Sequence, residues 1–170
     1  MSVPKVFCDM DGVLADFDRG WEEFTGKKVI GWVTITDSDW ARCKQQWPTF
    51  WMDLELMPHA LELWNALSPF DPDLLTAVPD SWKSAGIGKI TWAGELLNMN
   101  RGQVHAVARE DKRKYAKQRD GTPNVLIDDL DKNVKEWNAA GGFGIQYIPS
   151  GSMVQRVIRS IESHMERYGA

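Results

Sequence analysis

Asp9-Met10-Asp11-Gly12-Val13 follows directly on the short apolar run Val3-Pro4-Lys5-Val6-Phe7-Cys8. Two carboxylates one residue apart at the end of an expected strand can hold a hard cation and a nucleophile together. A second acidic pair, Asp128-Asp129, closes the apolar run Val125-Leu126-Ile127. A parallel sheet brings such strand ends side by side, and carboxylates gathered at one point repel strongly unless a divalent cation sits among them. That chemistry points to a magnesium-type site, and magnesium beside a carboxylate nucleophile points to phosphoryl transfer.

Outward from these two pairs, strands and helices alternate. Val3 to Cys8 reads as the first strand. Asp16 to Phe24 reads as a helix, with Phe17, Trp21 and Phe24 at helical spacing. From about Thr25 to Leu56 the chain changes character: Trp32, Trp40, Trp47 and Trp51 with few aliphatics, punctuated by Gly26 and Gly31, suggest a small helical insertion. Pro58 opens a helix striped by Ala60, Leu61, Trp64 and Leu67. Asp73-Leu74-Leu75-Thr76 ends a second strand, and Ser81 is placed to cap a helix running to Leu97. Gln103–Ala108 is a third strand, Asp111–Gln118 a basic helix and Asn124–Ile127 a fourth strand. Leu130, Val134 and Trp137 stripe a helix that stops at Gly141-Gly142. Gly144–Ile148 is a fifth strand, and Met153, Val154, Val157, Ile158, Ile161 and Met165 line a last helix. The expectation is an α/β, Rossmann-like parallel sheet with helices on both faces and a small helical cap insertion: a core of residues 1–16 and 70–170, with the cap at 17–69. Ligands of open α/β sheets collect beyond the carboxyl ends of strands, where Asp9, Asp11, Thr76 and Asp128 are all expected.

The bulk properties set limits. A chain of 170 residues suits one domain with room for an insertion. The formal net charge of −4 disfavours a dedicated nucleic-acid binder, although a bound cation can still draw a phosphate-bearing small substrate. Cys8 and Cys43 form no disulfide or zinc pattern. His59, His105 and His164 have no metal-ligand partner at helical spacing. With no secretory leader and no membrane-length apolar run, a reduced cytoplasmic enzyme is expected.

The order Asp9-x-Asp11-Gly12-Val13, Leu74-Leu75-Thr76, a lysine, then Ile127-Asp128-Asp129 resembles the haloacid dehalogenase superfamily of phosphatases. Asp9 to Phe17, Phe50-Trp51-Met52-Asp53-Leu54-Glu55 with Pro58, and Leu126 to Asp129 are similar to its 5'(3')-deoxyribonucleotidases, which hydrolyse deoxyribonucleoside monophosphates with magnesium. The segment from Phe17 to Thr76 is shorter than in that group. The resemblance implies Asp9 as nucleophile, and Asp11 as general acid and base with its backbone carbonyl on magnesium. Asp128 and Asp129 would complete the metal site, and Thr76 with the Ala77 N–H would bind the transferring phosphate. Lys112, within Arg109-Glu110-Asp111-Lys112, would hold Asp9 and the phosphate together, with Lys114 as the competing lysine. Asp131 and Asn133 are expected to face solvent.

Nine tryptophans are many for this length. Phe17, Phe50 and Trp51 match the nucleotidase resemblance and are candidates for a base-stacking wall. Trp32, Trp40 and Trp47 are candidates without a matched motif, while Trp64, Trp92 and Trp137 lie on apolar helical stripes and read as core. Alternatives are a sugar phosphate, a phosphorylated amino acid or a DNA 3'-phosphate end as substrate, or a non-catalytic binding module that keeps the fold. The partner expected is a small phosphate ester, with no membrane and no stable nucleic-acid complex; a homodimer stays open.

Overall fold

Val6, Phe7 and Cys8 form strand β1 (Val6–Cys8), and all three are buried because β1 has neighbours on both edges and helices on both faces. In this computed structural model, which describes residues 2–30 and 34–168, five strands form one sheet. The others are β2 (Asp73–Ala77), β3 (Val104–Val107), β4 (Val125–Asp128) and β5 (Phe143–Gln146). Their order is β3-β2-β1-β4-β5 and every pairing is parallel. The chain leaves β1 towards β2 and later returns to β4 on the other side, so the switch point lies between β1 and β4. Cys8 is level with Ile127 across that boundary, which sets Asp9 beside Asp128. The Asp9 N–H donates to the Ile127 carbonyl at 2.8 Å and fixes the first residue past the strand.

Alternation along the strands divides the core. Val6, Cys8, Leu74, Val125 and Ile127 join the larger apolar cluster, with side chains from α4 (Ala60–Leu67), α5 (Ala85–Leu97) and α7 (Gly151–Arg167). Phe7, Leu75 and Leu126 point the other way, onto Ala116 and onto Trp137 of α6 (Asp131–Ala139). The expected Rossmann-like architecture is present.

Between β1 and α4 lie α1 (Phe17–Thr25), α2 (Asp37–Gln46) and the short α3 (Phe50–Asp53). Asp16 caps α1 by accepting from the Arg19 N–H, and Thr36 with Asp39 forms a reciprocal capping box on α2. These helices meet through aromatic rings rather than aliphatics. Phe17 and Trp51 stack at 5.6 Å between centroids, Trp40 and Trp51 at 5.7 Å, and Phe50 meets Trp51 edge-on at 5.0 Å. The insertion is fastened to α5: the Trp92 indole N–H donates to the Leu54 carbonyl at 2.8 Å, and Gly88 admits the Trp51 side chain where a Cβ would stand 2.9 Å from that of Trp51. Helix α4, which the sequence reading groups with the insertion, packs against α7.

Several local expectations are corrected. Ser81 does not cap α5; it sits in a 3-10 turn, Asp80–Trp82, and α5 starts after Ser84. The expected basic helix over Asp111–Gln118 is instead a 3-10 segment, Arg109–Tyr115, in which Lys112 is buried while Arg113 and Lys114 stay exposed. Helix α4 begins after His59, whose φ of 63° breaks the path from Pro58, and Leu61 is exposed while Leu63 joins the buried stripe. Gly31 and Trp32 lie outside the described residues.

Trp92→Phe keeps most of the ring volume but leaves the buried Leu54 carbonyl without its donor. The expected cost is about 1–3 kcal/mol, read as a lower urea midpoint with an unchanged slope.

Candidate active site

Gly12 turns the chain immediately after Asp11, where it passes close to the end of β4. Its φ is 78°, and a Cβ there would collide with the Asp129 carboxylate, so the β1 loop and the β4 end can close only around glycine. Asp9, Asp128 and Asp129 each turn a carboxylate oxygen to one place, all within 4.8 Å of one another. Asp9 and Asp128 are buried.

Lys112 enters this cluster from the 3-10 segment. Its ammonium, 3% exposed, donates to Asp9 Oδ1 at 2.7 Å and to Asp128 Oδ2 at 2.8 Å. Lys114 points outwards and pairs with Asp111 at 2.7 Å. Burial alone would lower the Lys112 pKa; Asp9 and Asp128 outweigh it and raise it. One ammonium does not balance three carboxylates. Burial first, then the Asp128 charge, holds the Asp9 carboxyl well above the ordinary carboxylate range. Burial and Asp128 likewise push Asp129 up to about 7. A divalent cation among Asp9, Asp128 and Asp129 relieves both effects, and three hard oxygens at this spacing suit one.

On the other side of Asp9, Thr76 at the end of β2 is fully buried and Asp11 nearly so. Both are held by Lys89 of α5, which is 0% exposed: its ammonium donates to Asp11 Oδ2 and, at 3.0 Å, to Thr76 Oγ1. The sequence reading missed Lys89. The signal was there: Lys89 shares a helical stripe with Ala85, Trp92 and Ala93, all buried, so a charge stands on an apolar face.

Asn133 was also misplaced. It is buried, not on a solvated face, and its amide donates to both oxygens of Asp128, at 3.2 and 3.1 Å. Its position four residues before Trp137 put it beside the α6 stripe. Asn133 in turn accepts from Arg109 at 3.0 Å, and Arg109 pairs with Glu136 at 2.9 Å. Asp128 Oδ1 also accepts from the Leu130 N–H at 2.9 Å, so this residue braces the start of α6 as well as the acidic cluster.

A cleft of about 200 Å³ opens over the site, lined by Asp9, Asp11, Lys112 and Asp129, by Ala77, and by an apolar side of Val78, Pro79, Leu130 and Trp40. Phe50 and Trp51 do not line it; they are buried in the aromatic cluster. Phe17 borders a smaller adjoining hollow with Asp11, Asp18 and Asp129. Trp47 is half-buried, and its indole N–H donates to Asp53 at 2.6 Å. His105 pairs with Asp73, and His164 stacks on Phe143, away from the acidic cluster. Among the described residues no helix is long and apolar enough to cross a membrane.

No protein-family model and no curated protein sequence matches the chain. Solved structures do. A hydrolase from Pseudomonas syringae is 16% identical, with a TM-score of 0.53 over 98% of this chain and 100% of its own. A HAD family hydrolase from Deinococcus radiodurans, solved with bound phosphate and sodium, is 15% identical, with a TM-score of 0.52 over 98% of this chain and 94% of its own. A HAD family enzyme from Bacteroides thetaiotaomicron, solved as a magnesium complex, is 14% identical, with a TM-score of 0.51 over 92% of this chain and 99% of its own. The likeness shows that the chain has the haloacid dehalogenase-type α/β fold.

The raised Asp129 sets the sign of a metal effect. Its folded-state pKa of about 7 exceeds the ordinary 3.8, so its share of stability is present below the ordinary value and lost as pH rises through about 7. A cation that binds the ionised form restores it. Magnesium at fixed concentration should therefore raise Tm more at pH about 8 than at pH about 5.5, as thermal melts at the two pH values will show.

Proposed function

We propose that this protein is a magnesium-dependent phosphomonoesterase that works through an aspartyl-phosphate on Asp9. The observation that carries this reading is the meeting of Asp9, Asp11, Lys112 and Asp129 at a cleft on one edge of the sheet, with Thr76 and Asp128 buried behind them. Asp9, Asp128 and the Asp11 backbone carbonyl would hold magnesium, with Asp129 as a further ligand, and the bound ion would neutralise charge between the carboxylates and the phosphate.

The chain's own groups supply the rest. An oxygen of Asp9 attacks phosphorus as the ester P–O bond breaks, and Asp11 gives its proton to the departing alkoxide. Asp11 then takes a proton from water as that water attacks the phosphorus of aspartyl-phosphate, freeing Asp9 and inorganic phosphate. The Lys112 ammonium holds Asp9 in place and meets the incoming anion. The Thr76 hydroxyl and the Ala77 N–H donate to the equatorial oxygens. The buried Asp11 Oδ1 has no hydrogen-bond partner among the described residues, which suits an atom that exchanges a proton.

The substrate class proposed is the deoxyribonucleoside monophosphates, the base lying on the apolar side formed by Trp40, Val78, Pro79 and Leu130. A second reading rests on the size of the cleft. About 200 Å³ is less than the roughly 300–1,000 Å³ of common small-molecule sites. With Phe50 and Trp51 packed away, a compact ester such as a sugar phosphate fits the same chemistry.

Phosphate release from deoxy- and ribonucleoside 5'- and 3'-monophosphates and from sugar phosphates, with magnesium and with EDTA, separates the two. Magnesium-dependent turnover centred on deoxynucleotides supports the first reading, turnover of sugar phosphates alone supports the second, and turnover of neither overturns the phosphatase. Asp9→Asn should abolish turnover while the protein stays folded by circular dichroism.

A further inference from the structure

Lys89 is a buried charge that the proposed chemistry does not itself employ. It is fully enclosed between α5 and the sheet, where a methionine or leucine would fill the same space without a charge to desolvate. Its ammonium is held on three sides. It donates to Asp11 Oδ2 and to Thr76 Oγ1 at 3.0 Å, and it lies 4.2 Å from the centre of the Trp51 ring. Trp51 belongs to the aromatic insertion, so the three contacts join α5 to the Asp11 and Thr76 side chains and to α3.

The pattern of bonds has direction. Asp11 is tethered through Oδ2, while Oδ1 is buried, has no hydrogen-bond partner among the described residues and belongs to a side chain that lines the cleft. Thr76 accepts from Lys89, so the hydroxyl hydrogen is not used towards Lys89 and is left to donate elsewhere. One ammonium thus orients an acid and a donor at once.

We infer that Lys89 is a positioning residue for proton transfer: it fixes Asp11 through Oδ2, which leaves Oδ1 to carry the proton for the leaving oxygen, and it leaves the Thr76 hydroxyl hydrogen to donate to the substrate. This rests on the phosphatase reading above. The alternative is a purely structural lysine that ties α5 to the sheet.

The test uses leaving groups that differ in their need for a proton. A nitrophenolate departs without one; an alkoxide does not. Thymidine 5'-monophosphate and glucose 6-phosphate are compared with p-nitrophenyl phosphate, with protein in excess over ester, so that release of the alcohol reads formation of the aspartyl-phosphate. Lys89→Met should slow the alkyl ester about 10²-fold or more and p-nitrophenyl phosphate at least about tenfold less. Asp11→Asn should show the same split, and adding Lys89→Met to it should widen the split no further. Equal losses on both kinds of ester overturn the inference, because a structural role has no preference among leaving groups. If Lys89→Met does not fold, Lys89→Gln, which keeps a donor without the charge, is measured in the same way; failure of both to fold assigns Lys89 to structure and overturns the inference. No turnover of any ester by the unaltered protein removes the phosphatase reading and this inference together.

Discussion

Repulsion among buried carboxylates is the constraint around which the molecule is arranged. Asp9, Asp11, Asp128 and Asp129 converge where β1 meets β4, and two buried ammonium groups, Lys89 and Lys112, answer them. The two ammonium groups arrive by different local structures. Lys112 is the buried residue of a 3-10 segment, and Lys89 interrupts the apolar stripe of the regular helix α5. The two positive groups divide the labour: Lys112 joins the proposed nucleophile to Asp128, and Lys89 joins the proposed acid to Thr76. The carboxylates outnumber the ammonium groups, and burial first, then the neighbouring Asp128 charge, raises the pKa of Asp9 and of Asp129.

A brace lies behind the acidic groups. Asn133 spans both oxygens of Asp128, Arg109 bonds Asn133, and Glu136 neutralises Arg109. Each partner limits the freedom of the one before it, so the orientation of a carboxylate at the sheet edge is passed back to the middle of α6. The insertion does a comparable job from above. Its rings interlock, and through the Trp92 bond to Leu54 and the Lys89 contact with Trp51 they reach α5.

Much of this was readable in the chain. Short runs such as Val6-Phe7-Cys8 and Val125-Leu126-Ile127, apolar on both faces, announce parallel strands, and acidic pairs after them announce the loaded edge. What escaped reading had physical causes. The segment Arg109–Tyr115 has a composition that suits a regular helix, but it is a 3-10 stretch that sets Lys112 against Asp9 and Asp128. Asn133 looks like a surface residue until Asp128 is known to lie above it. Lys89 is polar by identity but apolar by position, and its partners are far from it along the chain or brought near only by the fold. Phe50 and Trp51 carry a familiar pattern, but their neighbours are other aromatic rings. In each case the deciding contact is long-range, and local patterning has no access to it.

The aromatic insertion also has an optical consequence. Trp21 and Trp40 lie 4.8 Å apart with their planes inclined at 54°, and Trp40 and Trp51 continue the contact. Indoles this close and mutually tilted share their excited states and form a chiral array of chromophores. Trp40 also stands at the edge of the cleft. The protein therefore carries its own near-ultraviolet reporter, in which the packing of the insertion and whatever touches its inner wall are written into one spectrum without an added label.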